Sequence, residues 1–286
     1  MKHIFVVKSQ DIKAIETISK VAIGVDHLVL KADYPGQIRD MIAPYCADDN
    51  RIFVLGGDGM IHNAIQAMAN QKAQLAIVPR GTGNDFARNF VIARNLESNI
   101  RSCMKQEAVA IDLIQANDIY VANTMCFGLD SDCANHVHDQ RIVRFLPGGL
   151  FYAKMTLQRL FSFSGFKASI ADGDFHVTGK FVLGVAANGR YYGGGYQIAS
   201  GQVDDGLFEI GYLQGASKVK AAFKLLKLAS NRILKDSCYH HSNHRSMTIE
   251  TSGLVNIDGE TYPAGRYSLH IQAGPLRVLN PIKKPN

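Results

Sequence analysis

Residues 51–63 read Arg-Ile-Phe-Val-Leu-Gly-Gly-Asp-Gly-Met-Ile-His-Asn, and the order of residue types in them decides the fold. Ile52, Phe53, Val54 and Leu55 form a short apolar run suited to a strand buried on both faces. Ile61, Ala64, Ile65 and Met68 then recur at helical spacing. The stretch therefore predicts strand, glycine turn, helix. Gly56, Gly57 and Gly59 remove side chains from the turn, so backbone N–H groups can approach an anion at a positive helix end. Asp58 sits among them, where a carboxylate would repel a phosphate unless a divalent cation or a donor hydroxyl lies between. That conflict suggests phosphoryl chemistry. The plainer alternative is a tight turn with Asp58 as helix N-cap.

A second stretch repeats the chemistry. Leu75, Ala76, Ile77 and Val78 are again a strand-like run, followed by Pro79, Arg80, Gly81, Thr82, Gly83, Asn84, Asp85, Phe86, Ala87 and Arg88. Two glycine loops, each following a strand, would meet at one sheet edge, where open α/β sheets hold ligands. Upstream and downstream, strand-like and helix-like segments alternate: 4–7, 11–21, 27–30, 36–43, 52–55, 60–70, 75–78 and 96–104. This argues for an open α/β layer with a largely parallel sheet, over 1–108. From Val109 the pattern turns to short strands: 167–171 and 175–178 around an Asp172-Gly173 turn, then 181–187, 207–213, 247–251, 255–257 and 267–272. A β-rich second domain, 109–274, follows.

Composition narrows the class. With 47% apolar and 20% charged residues, the chain is ordinary globular protein, long enough for two domains. The opening apolar run is too short for a signal peptide, and no stretch reaches membrane-span length, so a cytoplasmic protein is expected. Cys46, Cys103, Cys126, Cys133 and Cys238 form no zinc-like grouping and are expected as buried reduced thiols. A net charge of +6 favours anionic partners, but no tract has the aromatic-interleaved basic pattern of single-strand nucleic-acid binders. Nucleic acid is not expected as a partner.

The two loops resemble the catalytic domain of the diacylglycerol kinase family, particularly its soluble bacterial lipid kinases, whose motifs run close to Gly-Gly-Asp-Gly-Thr and Gly-Thr-X-Asn-Asp-Phe-Ala-Arg. NAD kinases and sphingosine kinases share the first turn more distantly. The resemblance spans nearly the whole chain and is strongest at 56–59, 81–88, 204–207 and 258–260. It implies a nucleotide-binding α/β domain rejoined by 275–286, and a second domain that is an antiparallel β-sandwich. It implies ATP and Mg2+ as cofactors and a neutral lipid, diacylglycerol foremost, as acceptor.

Residue roles follow from the same resemblance. Glu260, in Asp258-Gly259-Glu260, would take the hydroxyl proton as the alcohol attacks the γ-phosphorus. Asp58 and Asp85 would manage the ATP-bound magnesium and orient the hydroxyl. Gly56, Gly57, Gly59, Gly81 and Thr82 would hold phosphates, with Asn84 fixing its loop. Asp205 with Gly206 and Asp258 with Gly259 read, on their own, as hairpin turns or, for Asp205, as a metal loop. The resemblance implies a structural magnesium site made by the Asp205 carboxylate and the carbonyls of Gln202 and Leu207, reached through water by Asp112.

Several positions depart from the family pattern. Met60, His62 and Asn63 stand where Thr, Asn and Glu are common, which puts the nucleotide contacts of Met60 and Asn63 in question. The usual Asn-Pro loop after the first strand is replaced by Lys8, Ser9, Gln10 and Asp11, whose N–H groups and Lys8 ammonium remain able to meet a phosphate. Arg80 offers compensating positive charge. An NAD kinase-like enzyme and a non-catalytic nucleotide- or lipid-binding regulator are the alternative readings.

Residues 217–235 place Val219, Phe223, Leu226 and Ile233 on one helical face and Lys220, Lys224, Lys227 and Asn231 on another. The segment is either a membrane-surface helix or one packed on the sheet. The apolar stretch 150–163 would border a lipid entrance or belong to the core. Peripheral contact with a membrane carrying the lipid is thus expected, and oligomeric state is open, a homodimer included. His136, His138, His240, His241 and His244 are expected in polar surface or loop roles rather than as metal ligands.

Overall fold

The computed structural model describes residues 1–128, 166–214, 227–228 and 230–284. The first layer runs β1 (His3–Lys8), α1 (Ile12–Val21), β2 (His27–Ala32), α2 (Ile38–Ile42), β3 (Arg51–Gly56), α3 (Asp58–Met68), β4 (Gln74–Pro79) and α4 (Leu96–Lys105). Its strands lie in the order β2-β1-β3-β4, all parallel, with Ile4 opposite both Leu28 and Ile52, and Val54 opposite Ile77. Helices cover both faces. Phe5, Val7, Phe53 and Leu55 pack with Ala14 and Ile18 of α1 and Ile100 of α4. Ile4, Val6, Ile52 and Val54 pack with Ile38 and Ile42 of α2 and Ile61 and Ile65 of α3. Burial on two faces is why these strands read as unbroken apolar runs. Asp11 opens α1 by accepting from Ala14 N at 3.1 Å, and Asn95 opens α4 by accepting from Ser98 N at 2.8 Å.

The second layer comprises β5 (Val109–Ala116), β6 (Ile119–Val121), β7 (Thr124–Gly128), β8 (Phe166–Asp172), β9 (Phe175–Ala187), β10 (Tyr191–Tyr192), β11 (Tyr196–Gln197), β12 (Phe208–Gln214), β13 (His240–His244), β14 (Ser246–Thr251), β15 (Val255–Ile257), β16 (Glu260–Tyr262) and β17 (Gly265–Val278). The strands β16-β15-β7-β9-β8-β14-β17 pair antiparallel, with β12 added on β9 and β5 on β17. Ile114, Phe127, Phe181, Phe208, Ile249 and Leu269 fill the space they enclose. The architecture is an α/β layer followed by an antiparallel β-sandwich.

Among the described residues, one strand joins the layers. β17 pairs antiparallel with β14 and β5, bends near Gly274, and pairs parallel with β4 through Arg277 and Val278. Leu279 N donates to Leu75 O at 2.8 Å, and the Asn280 side chain then continues the ladder, accepting from Ile77 N at 2.7 Å and donating to Ile77 O at 3.0 Å. A buried amide thus satisfies backbone groups that a strand would otherwise satisfy.

Some expectations change. The hairpin between β8 and β9 pairs Asp172 with Phe175, so its turn is Gly173-Asp174, with Gly173 at φ +56°, rather than Asp172-Gly173. The run 181–187 is the second half of the 13-residue β9. A helix over 217–235 does not reach its end. Asn231 has φ +55°, and Ile233–Lys235 is a separate 3-10 turn. Residues 215–226, the stretch 150–163, Cys133, His136 and His138 lie outside the described residues. Cys46, Cys103 and Cys126 are buried, and burial pushes the thiols of Cys46 and Cys103 up to about 11 and about 12, whereas Cys238 is exposed. His240, His241 and His244 lie on the strand β13, exposed or half-buried as a surface role requires, and two have carboxylate partners: His244 Nδ1 is 2.9 Å from Asp172 and His241 Nδ1 3.1 Å from Glu209.

Candidate active site

The carboxyl ends of β3 and β4 bring the two glycine loops into backbone contact. A Cβ built on Gly81 would lie 2.5 Å from the Gly57 Cα, and one on Gly57 would lie 3.0 Å from the Gly81 Cα. No side chain fits at Gly81 without parting the loops. Arg80 N donates to Gly56 O at 2.8 Å, continuing the pairing of β3 and β4 into the turns. Asn84, at φ +52°, closes the second loop on itself: Oδ1 accepts from Gly81 N at 2.9 Å and Nδ2 donates to Gly81 O at 2.7 Å.

Asp58 is the first residue of α3, and Gly57 stands at the N-cap position. Its carboxylate does not cap its own helix. Oδ1 instead accepts from Phe86 N in the other loop at 3.1 Å. Asp85 faces the same space: a Cβ on Gly83 would meet Asp58 Oδ2 at 3.0 Å and Asp85 Oδ2 at 3.5 Å. Burial, and then the Asp85 charge, push Asp58 up to about 6, while burial also raises Asp85 above the usual carboxylate range. Asp85 Oδ2 accepts from Gly194 N at 2.9 Å, whereas its Oδ1 is buried without a hydrogen bond, Arg88 Nε standing 3.5 Å away. Two raised carboxylates around one point, one with an unmet oxygen, form a donor set that suits a hard divalent cation.

The hairpin of β15 and β16 approaches from the sandwich. Ile257 pairs with Glu260, leaving Asp258 at φ +51° and Gly259 at φ +97° as a two-residue turn. The Asp258 carboxylate is buried and saturated. Oδ1 accepts from Asn123 N and Thr124 N, each at 2.9 Å, and Oδ2 accepts from Ala122 N at 2.8 Å and faces His62 Nδ1 at 3.2 Å. So anchored, the turn delivers Glu260 to α3: a Cβ on Gly59 would be 2.5 Å from Glu260 Oε1. Only the absence of a side chain at Gly59 lets that carboxylate reach the loop.

A cleft of about 360 Å³ opens between these parts. Lys8, Gly57, Asp58, Gly59, Met60, Thr82, Asp85 and Glu260 line it. Gly56, Gly81 and Asn84 stand behind its wall as loop structure. Ser9, whose N donates to Ala32 O at 3.0 Å, and Asn63, whose Nδ2 donates to Gly59 O at 2.9 Å, are not among the lining residues. Arg80 does not bring free charge to the cleft. Its guanidinium grips Asp11 through Nε and an Nη at 2.9 and 2.7 Å, tying the loop after β1 to the loop after β4 and holding Asp11 below its usual range.

Asp112, Asp204 and Asp205 gather beside the middle of β5. Asp205 accepts from Gln202 N at 3.0 Å and Leu207 N at 3.1 Å, and Asp112 from Gly206 N at 2.7 Å and Gly274 N at 2.9 Å. Burial, with Asp112 and Asp205 nearby, raises Asp204.

Residues 8–116 match the diacylglycerol kinase catalytic domain, and residues 123–280 match the YegS C-terminal NAD kinase beta sandwich-like domain. The chain belongs to the diacylglycerol kinase family of YegS-like lipid kinases. A relative from Pseudomonas aeruginosa strain PAO1, described as a probable YegS-like lipid kinase, is 30% identical over 235 residues, covering 80% of this chain and 76% of the relative. Another so described, from Shewanella frigidimarina, is 26% identical over 242 residues, covering 82% and 78%. A crystal structure of a diacylglycerol kinase from Bacillus anthracis superposes with TM-score 0.76 at 20% identity over 98% of this chain and 96% of that one. An NAD kinase from Archaeoglobus fulgidus in complex with ATP gives 0.55 at 12% identity over 98% and 93%. Both show the fold. Within this lipid kinase family member, sequence reasoning passed over the anchoring role of Asp258, the Gly194 N–H on Asp85 and the placement of His62. The hairpin-like Asp-Gly pair was the visible signal for the first; the other two are contacts between segments far apart in sequence.

Proposed function

We propose that the protein is an ATP-dependent lipid kinase that transfers the γ-phosphoryl group to the hydroxyl of diacylglycerol at a membrane surface. The observation that carries this reading is Glu260 Oε1 lying against Gly59, which sets a carboxylate at the edge of a loop built for phosphate. Glu260 takes the hydroxyl proton; Gly57, Gly59 and Thr82 hold phosphates, with Lys8 and Met60 at the cleft wall and Ser9, Gly56, Asn63, Gly81 and Asn84 keeping the loops in shape. Asp58 and Asp85 hold the Mg2+ of ATP, which neutralises charge on the transferring group. Asp205, the carbonyls of Gln202 and Leu207, and Asp112 would hold a second, structural Mg2+; burial, and then the nearby Asp112 and Asp205 charges, raise Asp204 beside them, which supports a cation there. In this reading 1–108, rejoined by 275–286, binds the nucleotide and 109–274 receives the lipid.

The test is transfer of labelled γ-phosphate from ATP to detergent-dispersed diacylglycerol, monoacylglycerol, phosphatidylglycerol, undecaprenol and a sphingoid base, with NAD alongside. Diacylglycerol is expected to be labelled, and Glu260→Gln to lower the rate by roughly 10²-fold or more. Label on NAD alone would move the reading to an NAD kinase. No label on anything, from folded protein that binds ATP, would leave a nucleotide-binding regulator.

A further inference from the structure

His62 lies one turn into α3 from Asp58, and its side chain is 2% exposed. A histidine this buried must satisfy both ring nitrogens, and both partners come from the β15–β16 hairpin. Nδ1 is 3.2 Å from Asp258 Oδ2, and Nε2 is 2.8 Å from Tyr262 Oη. An ionised carboxylate only accepts, so Nδ1 carries a hydrogen; in the neutral ring Nε2 then accepts from the tyrosine hydroxyl. Burial, then Asp258 and Glu260, push Tyr262 up to about 12, which keeps that hydroxyl a donor. The ring therefore clamps the residues two before and two after Glu260.

Other contacts hold the helix to the same layer. One turn further along α3, Gln66 accepts from Tyr120 N at 3.0 Å and donates to Tyr120 O at 2.8 Å. Gln66 docks the helix onto β6, while His62 alone among these contacts reaches the turn that carries Glu260. Asp58 and Gly59 belong to the phosphate loop, so the His62 clamp sets how far that loop stands from Glu260. Displacing reacting groups by about an ångström can cost on the order of 10²-fold in rate.

We infer that His62 is a positioning residue that holds the Asp258-Gly259-Glu260 turn against the first turn of α3, and so sets the approach of the carboxylate to the bound phosphates. This rests on the reading of Glu260 as the base. It also distinguishes the two amide replacements. The Asn amide nitrogen falls where Nδ1 stands and keeps the bond to Asp258. The Gln nitrogen falls near Nε2, toward Tyr262, and leaves Asp258 Oδ2 without its side-chain donor.

The experiment compares His62→Asn, His62→Gln and Glu260→Gln in the full chain. It measures kcat and KM for ATP in the lipid transfer assay, melting temperature, and hydrogen exchange of the Asn123 and Thr124 amides that Asp258 holds. His62→Asn is expected to keep kcat within about threefold of wild type, with slow exchange. His62→Gln is expected to lose about tenfold or more in kcat, with KM for ATP changed less than threefold and faster exchange. Equal kcat in the two His62 variants, or a change in KM alone, would overturn the inference. If His62→Gln does not fold, His62→Ala takes its place, and added imidazole should restore kcat; no restoration counts against the proposal. Full turnover by Glu260→Gln would retire the base instead, and the exchange rates would still judge the clamp.

Discussion

Replacing Asp58 by Asn should stabilise the ligand-free protein while removing its activity. The carboxyl titrates at about 6 in the folded chain against an ordinary 3.8, because burial and Asp85 disfavour its charge. A carboxylate with a raised folded pKa lets the native state bind more protons than the unfolded state between those two values. Stability therefore falls as pH rises through that window and stays reduced above it. At about 1.36 kcal/mol per unit, the full deficit is about 3 kcal/mol, and water in the open cleft reduces it to about 1–3 kcal/mol. The Asn side chain keeps an oxygen for the Phe86 N–H and carries no charge. Thermal melts of wild type and Asp58→Asn, without magnesium or nucleotide, should coincide near pH 4 and separate by roughly 3–10 °C by pH 8, the variant being higher. Adding Mg2+ and ATP should raise the wild-type melting temperature more than the variant's. A variant less stable than wild type at pH 8 without ligands would refute the argument, because Asp58 would then be a net stabiliser through Phe86.

Gly81→Ala should lower stability by about 1–3 kcal/mol in urea and weaken ATP binding at least tenfold by calorimetry, since its Cβ would sit 2.5 Å from the Gly57 Cα. Unchanged binding would mean that the loops part freely. Asp258→Asn should cost about 3–5 kcal/mol in urea unfolding, because its new NH2 must face two N–H donors whichever way the amide is turned. Asn tolerates the positive φ as Asp does, so backbone strain does not enter, and a loss below about 1 kcal/mol would contradict the anchoring role.

What was legible in the sequence was local. Apolar runs of four residues, the glycines after them and the 3.6 spacing of Ile61, Ala64, Ile65 and Met68 each report on one element, and they placed the α/β layer and both loops correctly. The Asp258-Gly259 pair announced a hairpin, and the structure has one. Its second role was invisible, because the three amides it binds and the ring of His62 come from segments more than 130 residues away. His62 read only as a departure from the family pattern, because its partners, Asp258 and Tyr262, lie 196 and 200 residues further on. Arg80 was misread for a related reason: a free guanidinium and one held by a carboxylate 69 residues earlier are the same letter. The helix over 217–235 failed at Asn231, where an apolar stripe continues in sequence but the backbone turns to φ +55°.

The strand shared by the two layers also bears on how the chain is made. On the ribosome, β1 to β4 emerge early and can pair in the order β2-β1-β3-β4, but the free side of β4 receives its neighbour only when Arg277, Val278 and Asn280 have been synthesised. For some two hundred residues of elongation, the strand that leads into the second glycine loop presents an unpaired apolar edge. The loop that carries Thr82 and Asp85 thus gains its full support last. A nascent chain stalled before residue 277 should bind nucleotide poorly although both loop motifs are complete, and this period of synthesis is when the protein has most need of a chaperone.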